Sequence, residues 1–317
     1  MKRIVFLERN SFPPSVPLRR PGFPHEWVEF GETPPGKAAA RLQGAHVALI
    51  NKCRIDASVF EATPTLELVA IAATGTDCVD KAAARAAGVA VTNVTGYAAD
   101  SVAEHTLALL LALARAVPAY DRAVAEGRWA LARQFCLFDY PIRDLAGRRL
   151  GIVGAGAIGA AVAAKAAAFG MQPVTAARKD AVPGPGRIAF DEMLATSDAI
   201  SIHCPLNDDT RGLIGHAEFA AMRRQPFLIN TARGGIVDEA ALVEALDRRA
   251  IRGAAFDVAT VEPPADGHPL PALAGRPDVI VTPHVAWASE AAMATLAESL
   301  VCGLEAWARG DIRDRVA

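Results

Sequence analysis

Residues 150–159 read LGIVGAGAIG, an apolar run that leads directly into a glycine motif, and the helical segment AAVAAKAAAFG follows it. Gly154, Gly156 and Gly159 have the GxGxxG spacing. Between a strand and a helix, such glycines permit a tight turn, close approach of the backbone to a pyrophosphate and close helix packing. The free amides at the helix N-terminus favour bound phosphate. The motif therefore predicts a dinucleotide site, and the alternative is a tight strand-helix turn without a ligand.

Short apolar runs alternate with helical segments along the whole chain. Runs at residues 3–7, 46–50, 68–72 and 89–93 precede the glycine motif, and six strands beginning at Leu150, Val174, Ala199, Phe227, Gly253 and Asp278 include or follow it. Continuous apolar strands are typical of parallel sheets that are buried on both faces. We therefore predict an α/β protein with two Rossmann-like, doubly wound parallel-sheet domains and a cleft between them.

Two apolar helices indicate the domain boundaries. Ser101 and Glu104 have the spacing of a capping box, and the nearly all-apolar segment HTLALLLALARA follows. A helix without a polar face must be covered on all sides, between domains or in a subunit interface. The segment 289–310 is too long for a crossover and is predicted to return to the first domain. We predict a discontinuous, flavodoxin-like substrate domain, residues 1–98 and 288–317, and a dinucleotide-binding domain, residues 99–287.

The composition excludes several kinds of partner. The chain has 317 residues with 33 Lys and Arg against 35 Asp and Glu, and this balance offers no broad attraction for nucleic acid or anionic membrane. The longest strongly apolar run, residues 106–114, is shorter than the roughly 20 residues that span a bilayer. The five cysteines form no CxxC pair, which predicts reduced thiols in the cytoplasm. No cluster has the spacing of a metal site.

The end of the second strand after the glycine motif bears on cofactor choice. An NAD site places an acidic residue there to accept hydrogen bonds from the ribose, but this strand ends Ala176, Ala177, Arg178, Lys179. Without the carboxylate, Arg178 could bind a 2′-phosphate with its planar fork. We predict that NADP is favoured over NAD. The alternative is that the two cations belong to a solvated loop and that discrimination is weak.

Three further strand ends each carry a residue suited to chemistry on a 2-oxo acid. Arg233 follows the strand FLIN and could hold a carboxylate, Glu262 follows GAAFD, and His284 follows DVIVT. A histidine can donate a proton to a carbonyl oxygen, and a carboxylate on its other ring nitrogen favours the protonated form. Singly, they could be a loop ion pair, a turn acid and a core histidine. Together they predict a catalytic site, because the carboxyl ends of parallel strands lie at one edge.

The chain resembles the D-isomer-specific 2-hydroxyacid dehydrogenases, and within them the glycerate dehydrogenase or hydroxypyruvate reductase branch. ATGTDCVD (73–80), HCPLNDDT (203–210), INTARGG (229–235), ATVEPP (259–264) and TPHVAWAS (282–289) carry the resemblance. It implies that Arg233 binds the substrate carboxylate and that Glu262 and His284 form an acid-base pair. It also implies a homodimer through the helix after Ser101. A departure is Ala177, where relatives that use NAD have Asp or Glu.

The resemblance further implies which residues border the ligands. The predicted substrate-binding residues are Thr74, Gly75, Thr76, Arg233 and His284. The residues expected to contact the nicotinamide half of the cofactor are Thr231 and Asp257. The rest of the cofactor cleft is expected to involve Ala157, Ile158, His203, Cys204, Pro205, Ala232 and Ala286.

Two other functions fit the same fold less well. A non-catalytic dinucleotide sensor or corepressor would not need Arg233, Glu262 and His284 together. Formate oxidation would not need an acid at position 262, because formate requires no proton exchange with a hydroxyl or carbonyl. The expected activity is therefore hydride transfer between NAD(P)H and a small 2-oxo or 2-hydroxy acid, hydroxypyruvate or glyoxylate in particular.

Overall fold

The computed structural model describes residues 1–317, which form two compact units, Met1–Ala98 with Ala288–Ala317 and Ala99–Trp287. Each unit contains one parallel sheet. The prediction of two parallel-sheet α/β domains is confirmed.

The first unit is a five-stranded sheet with the order β2-β1-β3-β4-β5, the flavodoxin-like order. Its central strands are buried along their whole length, as continuous apolar runs require. Its strands are β1 (Lys2–Phe6), β2 (His25–Glu29), β3 (Val47–Ile50), β4 (Leu68–Ile71) and β5 (Ala90–Thr92), and a 3₁₀ turn covers Arg9–Ser11. Its helices are α1 (Ala38–Arg41), α2 (Ala57–Ala62), α3 (Lys81–Ala86) and the C-terminal α11 (Glu290–Ala308), which packs on β4.

The second unit is a seven-stranded sheet with the order β12-β11-β10-β9-β6-β7-β8. The strand order reverses between β6 and β9, the switch point at which open α/β sheets bind ligands. Its strands are β6 (Arg149–Val153), β7 (Gln172–Ala176), β8 (Arg187–Ile188), β9 (Ala199–Ile202), β10 (Phe227–Asn230), β11 (Gly253–Phe256) and β12 (Val279–Val281). Its helices are α4 (Ala99–Ala114), α5 (Val117–Ala125), α6 (Ala157–Ala168), α7 (Phe190–Thr196), α8 (His216–Ala221), α9 (Glu239–Asp247) and α10 (Pro269–Leu273).

Two edge strands and one helix start differ from the sequence predictions. The strands β2 and β8 were missed: β2, HEWVE, contains only two apolar residues and none that is buried, and β8 has only two residues. The capping box is wrong, because α4 already begins at Ala99 and the Ser101 hydroxyl donates to the Ala286 carbonyl at 2.8 Å. Apolar residues of α4, including Leu107 and Leu110, are buried in the core of their own unit. Their apolarity therefore does not by itself require a subunit interface.

No single helix is both long and apolar enough to cross a membrane. The pair α4 and α5, which is bent by 59°, passes that test together by length and composition only. No group of three or more His, Cys, Asp or Glu side chains is arranged to hold a metal ion.

Candidate active site

The glycine motif forms a turn between β6 and α6 in which each glycine has a separate steric reason. Gly154 has a φ of 108°, and a Cβ there would lie 2.6 Å from the carbonyl carbon of His203. Gly156 is the N-cap of α6 and faces open space, so a ligand can approach its backbone. A Cβ on Gly159 would collide with the Gly154 carbonyl. The turn is thus a cradle for phosphate at the N-terminus of a 12-residue helix.

A cavity of about 660 Å³ opens beside this turn. It is bordered by the glycine turn, the loop after β7, β8 and the loop after β9. Of the predicted cofactor residues, the lining includes Gly154, Gly156, Ala177, Arg178, Lys179, Cys204 and Pro205. The open cradle and a cavity of this size fit a dinucleotide, and the first turn of α6 places Ala157, Ile158 and Gly159 next to the cradle.

The charged side chains of the cavity only partly match the sequence prediction. Ala177 is buried, and Arg178 lines the cavity without an ion pair in the protein. Lys179 donates a 2.7 Å hydrogen bond to Glu218, so its charge is already paired. Arg187, which sequence reasoning missed, lines the cavity from β8, opposite Thr175 in the register of β7. The two unpaired cations here are therefore Arg178 and Arg187.

His203 lies at the end of β9 and carries no charge near neutral pH. Burial lowers the pKa of its imidazole to about 4. Its Nε2 is 2.8 Å from the Ser201 hydroxyl, and its buried Nδ1 has no hydrogen-bond partner within the protein. His203 can therefore contribute a neutral polar contact to a bound cofactor but no positive charge for a phosphate.

A second group of predicted residues lies at the ends of three neighbouring strands, β10, β11 and β12. Glu262 follows β11 and His284 follows β12, and the ring Nδ1 of His284 donates to Glu262 Oε2 at 2.6 Å. The other carboxylate oxygen of Glu262 accepts from the Ala259 amide at 3.0 Å. The pair thus fixes the ring so that Nε2 is the nitrogen left to face a substrate.

Arg233 lies on the turn after β10, which packs against the loop that carries Glu262. The side chain of Asn230 braces this turn, donating to the Arg233 carbonyl at 2.9 Å and accepting from the Ala232 amide at 3.1 Å. A Cβ on Gly234 would collide with the Ala259 carbonyl, so the two loops touch through their backbones. The structure therefore brings the loops of Arg233 and Glu262 together and the Glu262 and His284 side chains into direct contact.

Asp257 orders the segment that carries His284. It is 1% exposed, and its carboxylate accepts from the Thr282 hydroxyl at 2.6 Å and from the amides of Val285 and Ala286 at 2.9 and 2.8 Å. Its backbone carbonyl accepts from the His284 amide at 2.7 Å. These bonds hold His284 in a left-handed conformation, with a φ of 54°. The sequence alone did not indicate this internal role.

The loop of Glu262 is anchored by a second His-carboxylate pair that sequence reasoning missed. One oxygen of Glu239 accepts from the amide and hydroxyl of Thr260 at 2.9 and 2.7 Å. The other lies 3.0 Å from His268 Nε2. Because these partners are 21 residues or more apart, no local pattern indicates them.

The remaining predicted residues divide between the two units. Thr231 is buried, and its hydroxyl lies 3.0 Å from that of Thr106. Thr74, Gly75 and Thr76 follow β4 in the first unit, where the Thr74 hydroxyl donates to the Val94 carbonyl and Lys81 donates to the Thr76 hydroxyl. Their contacts with ligands stay predictions.

A phosphate cradle at the switch point and a hydrogen-bonded His-Glu pair at nearby strand ends are typical of a nicotinamide-dependent oxidoreductase. Residues 107–286 match the model of the D-isomer specific 2-hydroxyacid dehydrogenase NAD binding domain. The chain belongs to this family and is an enzyme.

Similar proteins span nearly the full length. The chain is 47% identical over 310 residues to a glycerate dehydrogenase of Methylorubrum extorquens, covering 98% of this chain and 97% of the relative. It is 33% identical over 278 residues to a hydroxypyruvate reductase of Blautia hydrogenotrophica, covering 86% and 84%. Among solved structures, an NADPH-dependent glyoxylate/hydroxypyruvate reductase from Sinorhizobium meliloti, in complex with NADP and malonate, has a TM-score of 0.85 at 30% identity, covering 100% and 97%.

Proposed function

We propose that this enzyme reduces hydroxypyruvate or glyoxylate to D-glycerate or glycolate. The observation that carries the proposal is the 2.6 Å contact between His284 and Glu262, on the loop that packs against the turn of Arg233. The relatives named as a glycerate dehydrogenase and a hydroxypyruvate reductase support this substrate class. The experiment is an assay of NAD(P)H oxidation with a panel of 2-oxo acids.

The residues divide the chemistry of reduction between them. When bound in the cradle of Gly154 and Gly156, the nicotinamide cofactor supplies the hydride. Arg233 binds the substrate carboxylate with its guanidinium fork and so orients the carbonyl group. His284 donates the proton from Nε2 to the carbonyl oxygen, and Glu262 stabilises the imidazolium through Nδ1. Asp257 keeps the backbone of His284 in place.

Substitution of Glu262 by Gln is expected to lower kcat for hydroxypyruvate reduction by about tenfold or more, because a neutral amide stabilises the imidazolium of His284 less well than a carboxylate at 2.6 Å does. The measurement is kcat for the parent enzyme and for Glu262→Gln with saturating hydroxypyruvate. Equal kcat values for the two enzymes would contradict the coupling of Glu262 to His284.

The proposal includes a preference for NADP over NAD. Its support is the absence of a carboxylate at position 177 and the presence of Arg178 and Arg187 on the cavity wall. We expect kcat/KM with NADPH to exceed that with NADH, because the two guanidinium groups can bind a 2′-phosphate. Initial rates measured with varied NADPH or NADH at one fixed hydroxypyruvate concentration give the ratio of the two kcat/KM values. A ratio well below one would contradict the preference.

The enzyme is also proposed to be a homodimer. Leu131, Phe135 and Phe138, between α5 and β6, are at least 76% exposed in the single chain. Exposed apolar groups of this size in one segment are typical of protein interfaces. Light scattering is expected to give twice the mass of one chain, 33.2 kDa. A Phe135→Ser/Phe138→Ser variant should shift toward monomer, and a monomeric parent protein would contradict the proposal.

We place the enzyme in the cytoplasm within the same proposal. All five cysteines are free thiols in the structure, as is usual for proteins of reducing compartments. Fractionation of the source cells tests the location, with recovery among secreted proteins as the contrary outcome.

A further inference from the structure

The contact between Lys179 and Glu218 joins the cofactor cavity to a carboxylate outside it. Lys179 is on the loop after β7 and lines the cavity. Glu218 is on α8 and does not line it, but its Oε1 accepts the Lys179 ammonium at 2.7 Å. The side chain of Lys179 is 41% exposed and that of Glu218 only 10%. The Glu218 carboxylate therefore affects the charge of the cavity through its ion pair with Lys179.

Both partners are held in their charged forms. The hydrogen bond to Glu218 raises the pKa of Lys179. Burial acts to raise the pKa of Glu218, but the hydrogen bonds from Lys179 and the Gly215 amide outweigh it, and the pKa lies below its usual value. The Gly215 amide at the N-terminus of α8 donates to Oε2 of Glu218 at 2.9 Å. The other carboxylate oxygen, Oε1, pairs with Lys179.

This pair decides the charge balance of the cavity. The lining has three cationic side chains, Arg178, Lys179 and Arg187, against two carboxylates, Asp180 and Asp209. Glu218 adds a third carboxylate and makes the balance even. A 2′-phosphate is an anion that NADP has and NAD lacks, so the affinity difference between the two depends directly on this balance.

We propose that Glu218 is a specificity-determining residue: by neutralising Lys179 it weakens the hold of the cavity on a 2′-phosphate and moderates the preference for NADP. Arg178 and Arg187 then bind that phosphate, and Lys179 is a third cation whose charge Glu218 neutralises. This inference rests on the proposed dinucleotide site. It concerns the degree of discrimination and not the reaction.

Glu218→Gln tests the role, because the amide oxygen can still accept from Gly215 while the negative charge is lost. The readout is binding to the apo protein, measured by titration calorimetry with adenosine 2′,5′-bisphosphate and with 5′-AMP. We expect about fivefold to tenfold tighter binding of the bisphosphate in Glu218→Gln, from the loss of one nearby charge. Binding of 5′-AMP, which lacks the 2′-phosphate, should change by less than about twofold.

Two control variants separate charge from structure. Lys179→Met leaves the Glu218 carboxylate unpaired and should weaken bisphosphate binding about fivefold. The double variant should return to within about twofold of the parent, since both charges are absent. Lys179→Met also keeps the proposal testable where Glu218→Gln fails to fold. If neither single variant changes the ratio of the bisphosphate affinity to the 5′-AMP affinity, Glu218 has no role in the discrimination. If neither fragment binds to the parent protein or to any variant, the cavity is not a dinucleotide site.

Discussion

Replacement of His284 by Ala is expected to lower kcat for hydroxypyruvate reduction by about 10² to 10⁴, the usual contribution of a positioned general acid. The physical reason is that the His284 imidazole, held by the Glu262 carboxylate at 2.6 Å, is the group that we propose to protonate the carbonyl oxygen. The loss should appear in kcat and kcat/KM together, because proton donation stabilises the transition state and not the bound substrate.

The matched control is His216→Ala, which removes a histidine from the exposed start of α8, where its side chain is 63% exposed. It should leave kcat unchanged. Fold and dinucleotide binding should survive in His284→Ala, since Asp257 still accepts from Thr282, Val285 and Ala286. Near-normal turnover in a folded, cofactor-binding His284→Ala would remove His284 as the proton donor.

Replacement of Arg233 by Ala is expected to lower kcat/KM for hydroxypyruvate by about 10³, because a bidentate, charged pair of hydrogen bonds to the substrate carboxylate is lost. Arg233→Lys should recover only part of the loss, since an ammonium lacks the planar fork. Glycolaldehyde, which has the same hydroxyl and carbonyl groups but no carboxylate, serves as the matched substrate. Its slow reduction should change little in Arg233→Ala.

The exposed Arg248, which pairs with Glu244 on α9, gives the matched arginine control. Arg248→Ala should behave as the parent enzyme does with both substrates. An Arg233→Ala enzyme whose preference for hydroxypyruvate over glycolaldehyde equals that of the parent would show that another group binds the carboxylate.

The parallel sheets could be predicted because their central strands are continuous apolar runs. In β3, β4, β9, β10 and β11 every residue is buried, and such runs stand out in the sequence. The edge strands β2 and β8 could not be predicted this way, because they are partly exposed. The start of α4 was misplaced because Ser101 and Glu104 have capping residue types but lie inside the helix.

The candidate catalytic residues could be proposed from strand ends, because parallel topology places those ends at one edge. In the structure Glu262 contacts His284, and the catalytic roles of the two residues stay predictions. Pairings between distant loops could not be predicted: Glu218 is 39 residues from Lys179, and Glu239 is 21 from Thr260. Such contacts depend on how loops meet in space. For the same reason, the sequence did not indicate that Lys179 pairs with Glu218 or that Arg187 lines the cavity together with Arg178.

The decisive measurement is the initial rate of NADPH and NADH oxidation by the purified enzyme with hydroxypyruvate, glyoxylate and glycolaldehyde. An arginine fork, a carboxylate and an imidazole acting on one small ligand predict rapid oxidation with both 2-oxo acids and slow oxidation with glycolaldehyde. Oxidation that is undetectable with either acid and either cofactor, or equally fast with glycolaldehyde, would contradict the account.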